Sequence, residues 1–238
     1  MTHFETTRWS VVRAATSGQP SQAHRALESL CSAYWPPLYA YIRHRGNSAE
    51  DAKDLTQEFF ARFIEKDYLK DVAPQKGKFR SFLLASVNHF LSNERDRART
   101  LKRGGGVAFL PLDFTEVEQR YRGGALHTMS PEMLFERAWA LALLESALAR
   151  LRREYDQSGK AAIFDRLKGA LTTREDRAPY GDISAELGLS EEAIKTTVHR
   201  MRRRYRDLLF DKIAQTLAEG ENVEEELRHL FSAVGHSL

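Results

Sequence analysis

The sequence predicts an all-α protein of two helical domains joined by a flexible linker. Three observations predict it. Apolar residues recur at three- and four-residue spacing through long segments, and the alternation expected of strands is nearly absent. Proline and glycine fall mostly between these segments. A glycine-rich break, Gly104-Gly105-Gly106, separates a first helical block at about 7–100 from a second that opens at Ser130. The expected organisation is a first domain over 1–101, a linker over 102–129, a second domain over 130–213 and an acidic tail over 214–238.

The 238 residues leave room for one large or two small domains. With 42% hydrophobic and 29% charged residues, a buried core is possible and global disorder is not expected. Mean hydropathy is −0.50. No apolar run approaches the ~20 residues that span a bilayer, so no membrane partner is expected. Met1 to Glu5 show neither a basic nor an apolar leader region, so no secretory signal is expected. The one cysteine, Cys31, excludes a disulfide framework and makes a reducing cytoplasmic location the default. It lies between Leu30 and Tyr34 on an amphipathic helix and fits a small core residue. The eight histidines form no metal-ligand spacing, and no phosphate-binding loop, HExxH, Cys-His nucleophile pair or dinucleotide turn occurs. No enzyme, metal or cofactor is expected.

Net charge is only +3, but its distribution is uneven. Arg95, Arg97, Arg99, Lys102 and Arg103 form one basic stretch, and Lys195, Arg200, Arg202, Arg203, Arg204 and Arg206 another. Glu219, Glu221, Glu224, Glu225 and Glu226 form an acidic block near the C-terminus. Two separated basic patches suit a polyanion held at two places.

In the first block, Asn47 to Asp51 opens a helix expected to run to about Lys66. Ser48 with Asp51 three later forms a capping box with Asp for the usual Glu. Leu55, Phe59 and Phe63 follow at i+4, with Phe60 and Ile64 widening the stripe. Asp51, Asp54 and Glu58 share a face about 140° away, with Gln57 beside them. That face is either solvated or a surface for a protein partner with a basic or polar groove. The next helix begins near Gly77-Lys78-Phe79, with Phe79, Phe82, Leu83, Val87 and Phe90 facing inward. Asn88, Ser92, Arg95 and Arg99 line one narrow face, polar at one end and basic at the other. The face suits single-stranded nucleic acid, or is an ordinary solvated surface.

The linker holds an apolar run, Phe109-Leu110-Pro111-Leu112, that could dock on a partner or on either domain. The second block starts with Ser130 as N-cap, Pro131 at the first helical position and Glu132 in the first turn. Leu134, Trp139, Leu141, Leu144, Leu148 and Leu151 repeat along it. A helix over about 161–171 and a polar loop over 172–179 follow. Tyr180 to Ser190 then carries a local grammar: Ile183 and Leu187 inward, Gly188 for a left-handed turn, Leu189 in the angle between two helices and Ser190 as the next cap. This is the pattern of a helix-turn-helix. On the second helix Ile194, Val198, Met201, Tyr205 and Leu208 fall in a stripe about 80° wide, opposite Lys195, Thr196, His199 and Arg203. Such donors suit base edges and phosphates, and Arg200, Arg202 and Arg204 flank them for phosphate contacts.

The order of these parts resembles a bacterial RNA polymerase sigma factor of the sigma-70 family, extracytoplasmic-function type, over about 26–100 and 132–213. Glu50 to Phe60 resembles the region 2 segment that docks on the β′ clamp helices of core polymerase. The resemblance implies core-polymerase contacts at Asp51, Asp54, Leu55, Gln57, Glu58 and Phe59. Phe79 to Leu84, with Asn93 to Arg97, resembles the helix that reads and opens the −10 element. That implies DNA contacts at Arg80, Asn88, Ser92, Asn93, Arg95 and Arg99. The chain departs from the family's common residues at Phe82, His89 and Asn93, where Trp, Asn and Asp are usual. The helix-turn-helix resembles region 4, which implies −35 contacts at Lys195, Thr196, His199, Arg200 and Arg203. The linker, acidic at Asp113, Glu116 and Glu118, corresponds to the segment between the two DNA-binding domains. Implied partners are core RNA polymerase (β′ clamp helices and β flap), promoter DNA and an anti-sigma factor. The acidic tail lies outside the shared pattern: it is either a regulatory helix or a partner surface folding over region 4. The competing reading is a stand-alone helix-turn-helix transcriptional regulator, which would recognise DNA without core polymerase.

Overall fold

The computed structural model describes residues 9–16, 19–65, 68–69, 72–73, 75, 77–100, 113–115, 117–118, 129–171, 180–217 and 220–235; at 20 and over 97–100 it describes the helix but not the side chains. The helices are α1 (Trp9–Ala15), α2 (Pro20–His44), α3 (Ala49–Glu65), α4 (Phe79–Thr100), α5 (Pro131–Gln157), α6 (Ala161–Leu167), α7 (Tyr180–Leu187), α8 (Glu191–Ala214) and α9 (Val223–Ala233), with a 3-10 turn at Lys168–Leu171. Among the described residues there is no strand, as the sequence predicts. No described helix is long and apolar enough to cross a membrane. The chain divides into two compact units: Met1–Ala142 with Ile213–Leu238, and Leu143–Lys212. The divisions fall inside α5 and α8. The first twelve residues of α5 and the whole tail helix therefore belong to the first unit.

The first unit is built on α2. Leu30, Ala33, Tyr34, Leu38, Tyr41 and Ile42 repeat at helical spacing and are all buried. Pro36 and Pro37 lie inside this helix, which continues through them. Ala52, Phe59, Phe60 and Phe63 of α3 and Phe79, Leu83, Val87 and Phe90 of α4 add to this core, as do Phe135 and Trp139 of α5. The rings meet edge-on or tilted: Phe59 on Phe90 at 5.6 Å, Tyr34 on Phe79 at 5.4 Å and Phe63 on Phe82 at 6.4 Å. Cys31 is buried in this core, and burial pushes its thiol up to about 12, with Glu28 adding to the shift. The thiol is thus neutral and inert.

Four helix starts follow their local chemistry. Ser48 Oγ accepts the Asp51 N–H at 3.0 Å, the N-cap half of the expected capping box, while the Asp51 carboxylate accepts the Ser48 hydroxyl at 2.7 Å rather than the Ser48 backbone N–H. Ser130 Oγ accepts from the Met133 N–H, and Ser190 Oγ from the Ala193 N–H. Asn222 accepts from the Glu224 and Glu225 N–H groups to start α9.

Only a few residues of the predicted linker are described; Asp113 and Thr115 are exposed, while Phe114 and Glu118 pack. Phe114 is buried against Trp35 at 4.9 Å and Tyr39 at 5.1 Å. Glu118 accepts the Tyr39 hydroxyl at 2.5 Å and lies 3.4 Å from Arg43. The glycine break and the run at 109–112 lie outside the described residues, as does the loop at 172–179.

In the second unit Leu143, Ala147 and Leu151 of α5 pack with Phe164, Leu167, Tyr180, Ile194, Val198, Met201 and Leu208. Of the expected stripe on α5, Leu134, Trp139 and Leu151 are buried, but Leu141, Leu144 and Leu148 are half-buried and Leu143 and Ala147 take the inward places between them. Small Ala147 completes the inward face, which a count of leucines alone misplaces.

Candidate nucleic-acid interface

The turn between α7 and α8 is built as its residues require. Gly188 adopts φ +63°, the left-handed conformation that glycine enters without a Cβ penalty. The Leu189 N–H donates to the Ser184 carbonyl at 3.2 Å, and the Ser184 hydroxyl donates to the Leu189 carbonyl at 2.5 Å. Ser190 then caps α8. Ile194, Val198, Met201 and Leu208 are buried, and Tyr205 is half-buried with its hydroxyl donating to the Leu144 carbonyl at 3.0 Å.

The opposite face is exposed at Lys195, Thr196, His199 and Arg203, all four of the residues the sequence assigns to it, and the flanking Arg200 is exposed beside them. Two of the expected flanking arginines serve the fold instead. Arg204 makes two hydrogen bonds with Glu154, at 2.7 and 2.8 Å, and this pairing holds the Glu154 carboxyl below the usual range. Arg202 Nε donates to the Ala170 carbonyl at 3.0 Å. The surface available to an anion is therefore narrower than the arginine count suggests, and centred on the first three turns of α8.

On α3, Asp51 and Asp54 are exposed. Glu58 is half-buried and ion-paired with Arg62, which also bonds Glu94 of α4 at 2.5 Å. Leu55 is half-buried, while Gln57 and Phe59 are only 6% and 2% exposed. Of the six residues assigned to core-polymerase contact, therefore, only Asp51 and Asp54 are exposed, with Leu55 and Glu58 half-buried.

On α4, Ser92, Asn93 and Arg95 are exposed, with Asn93 Nδ2 3.2 Å from His89 Nδ1. Asn88 is half-buried: its amide oxygen accepts from the Tyr41 hydroxyl at 2.5 Å and from the Arg45 guanidinium. Glu132 of α5 joins this cluster, 3.3 Å from the Tyr41 hydroxyl; its own backbone N–H first, then Ser130, Tyr41 and Arg45, hold its carboxyl low. Arg80 is 4% exposed and bonded to carboxylates from α5 and α9. The Arg99 side chain lies outside the described residues. The clusters at Asn88 and Arg80 are absent from the sequence reading, because their partners come from distant parts of the chain.

Among the described residues, no group of three or more His, Cys, Asp or Glu could hold a metal ion. The geometry defines an all-helical protein with a packed aromatic unit and a separate unit presenting a capped basic helix. Residues 30–100 match the family model Sigma-70 region 2, so the chain contains a region 2 domain covering most of α2 and all of α3 and α4. No curated protein and no solved structure matches the chain.

Proposed function

We propose that the chain is a sigma factor of the extracytoplasmic-function type, which binds core RNA polymerase and directs transcription initiation at its promoters. The observation that carries this reading is the region 2 match over residues 30–100, a domain whose presence implies binding to core polymerase and promoter DNA. In this reading Asp51 and Asp54 face the β′ clamp helices, and Ser92, Asn93 and Arg95 face the −10 strand. Lys195, Thr196, His199, Arg200 and Arg203 enter the major groove at the −35 element, where an exposed helix with a buried opposite face suits base readout. The protein acts in the cytoplasm, catalyses no reaction itself, needs no metal or cofactor, and an anti-sigma factor is a further candidate partner.

The test is a pull-down of bacterial core polymerase with the purified protein, then run-off transcription on a pool of random promoters. Stable binding and a shared pair of −35 and −10 elements in the transcripts are expected. No binding to core, with a specific shift of duplex DNA by the protein alone, would make it a stand-alone helix-turn-helix regulator.

A further inference from the structure

The tail helix α9 brings a carboxylate onto the start of α4. Glu226 is 3% exposed and Arg80 is 4% exposed. Arg80 Nη2 lies 2.5 Å from Glu226 Oε1, and Lys78 Nζ donates to the other oxygen of the same carboxylate. Arg80 Nε also donates to both oxygens of Glu136, at 3.0 and 3.1 Å, and its guanidinium stands 4.4 Å from the centre of the Trp139 ring. Leu227, Leu230 and Val234 hold α9 down by burial, and Arg137 Nη1 reaches the Ala233 carbonyl at 3.4 Å.

Carboxylate and phosphate are recognised by the same guanidinium fork, and lysine binds either as a point charge. Lys78 and Arg80 stand at the N-terminal end of the helix whose far end is exposed at Ser92, Asn93 and Arg95. We propose that α9 is an internal latch: the Glu226 carboxylate occupies Lys78 and Arg80 in competition with the phosphates of a single-stranded nucleic acid. The inference rests on the reading above that α4 faces DNA. With the latch closed, α4 offers only its exposed polar end. With it open, two further cations join the phosphate track.

The test uses the full chain and a labelled single-stranded oligodeoxynucleotide of mixed sequence, titrated by fluorescence anisotropy over a range of salt. Glu226→Gln keeps the shape of the side chain and removes its charge. The variant is expected to bind about tenfold tighter. Its plot of log affinity against log salt should steepen by about 1.4, from two more phosphates neutralised at about 0.7 each on a single strand. Lys78→Gln placed in the Glu226→Gln background should return about half of that steepening. Unchanged affinity and slope, weaker binding, or no binding by either protein would overturn the latch. Hydrogen exchange of the wild-type chain gives a readout that does not depend on the variant's folding. Saturating oligonucleotide should speed exchange of the 223–233 amides, and unchanged exchange there would equally overturn it. Core-polymerase affinity measured on the same samples separates the two readings. Its absence sinks the sigma reading alone, and an unmoved salt slope sinks the latch alone.

Discussion

The Tyr41 hydroxyl donates to the amide oxygen of Asn88 at 2.5 Å, and Arg45 donates to the same oxygen. A residue whose position on α4 suits a base reader thus spends its acceptor on its own domain. Asn88→Ala would leave the Tyr41 hydroxyl and a half-buried guanidinium each short of a partner. A stability loss of about 1–3 kcal/mol is expected, read as a lower melting temperature of the full chain. A melt unchanged from wild type would show that these bonds are dispensable and return Asn88 to the nucleic-acid surface.

Asp54 and Gln57 lie three residues apart on α3, yet Asp54 is exposed and Gln57 is 6% exposed. Their alanine variants should separate. Asp54→Ala should weaken binding to core polymerase with a stability change within about 0.5 kcal/mol. Gln57→Ala should lower the melting temperature, because it removes buried volume and polar contacts. Core affinity of Asp54→Ala unchanged from wild type would show that the acidic face is not the docking surface.

Local chemistry made much of this fold legible in the sequence. Ser48, Ser130 and Ser190 cap the helices they precede, and Gly188 takes the left-handed turn, because each signal acts within three or four residues. The exposed and buried faces of α8 followed from periodicity alone. What stayed hidden is long-range pairing of charges. Lys78 and Glu226 are 148 residues apart, and nothing in the local pattern at either end marks the other. Glu225 and Glu226 are alike as letters in one acidic run, but rotation by one residue along α9 exposes the first and buries the second. Arg204 was placed with its exposed neighbours for the same reason, since its partner Glu154 lies 50 residues away.

The buried carboxylate also makes stability depend on pH. Burial raises the Glu226 pKa, but the charges of Arg80 and Lys78 outweigh it, so the carboxyl titrates below its ordinary range. A folded pKa below the unfolded value means the stabilisation is complete above the unfolded pKa, about 4.3 for Glu, and is lost as pH falls through the folded pKa. Thermal melts of the wild type should therefore lose stability as pH falls below about 4.3, and Glu226→Gln should lose less over the same range. Parallel pH profiles for the two proteins would place the titrating group elsewhere.

Lys195 and Ile194 are neighbours on α8 with opposite burdens: the first is exposed and the second fully buried. Lys195→Ala should leave the melt within about 0.5 kcal/mol of wild type, because its side chain is exposed at the surface. With core polymerase, it should cost about 1–3 kcal/mol of discrimination at the −35 element if the ammonium reads a base edge. Ile194→Ala should instead destabilise the second unit by about 2–5 kcal/mol through the cavity it leaves. The measurement is affinity for promoter variants substituted across the −35 element, alongside melts of both proteins. A Lys195→Ala loss that is the same for every sequence, with a salt slope lower by about one, would make Lys195 a phosphate contact rather than a base reader.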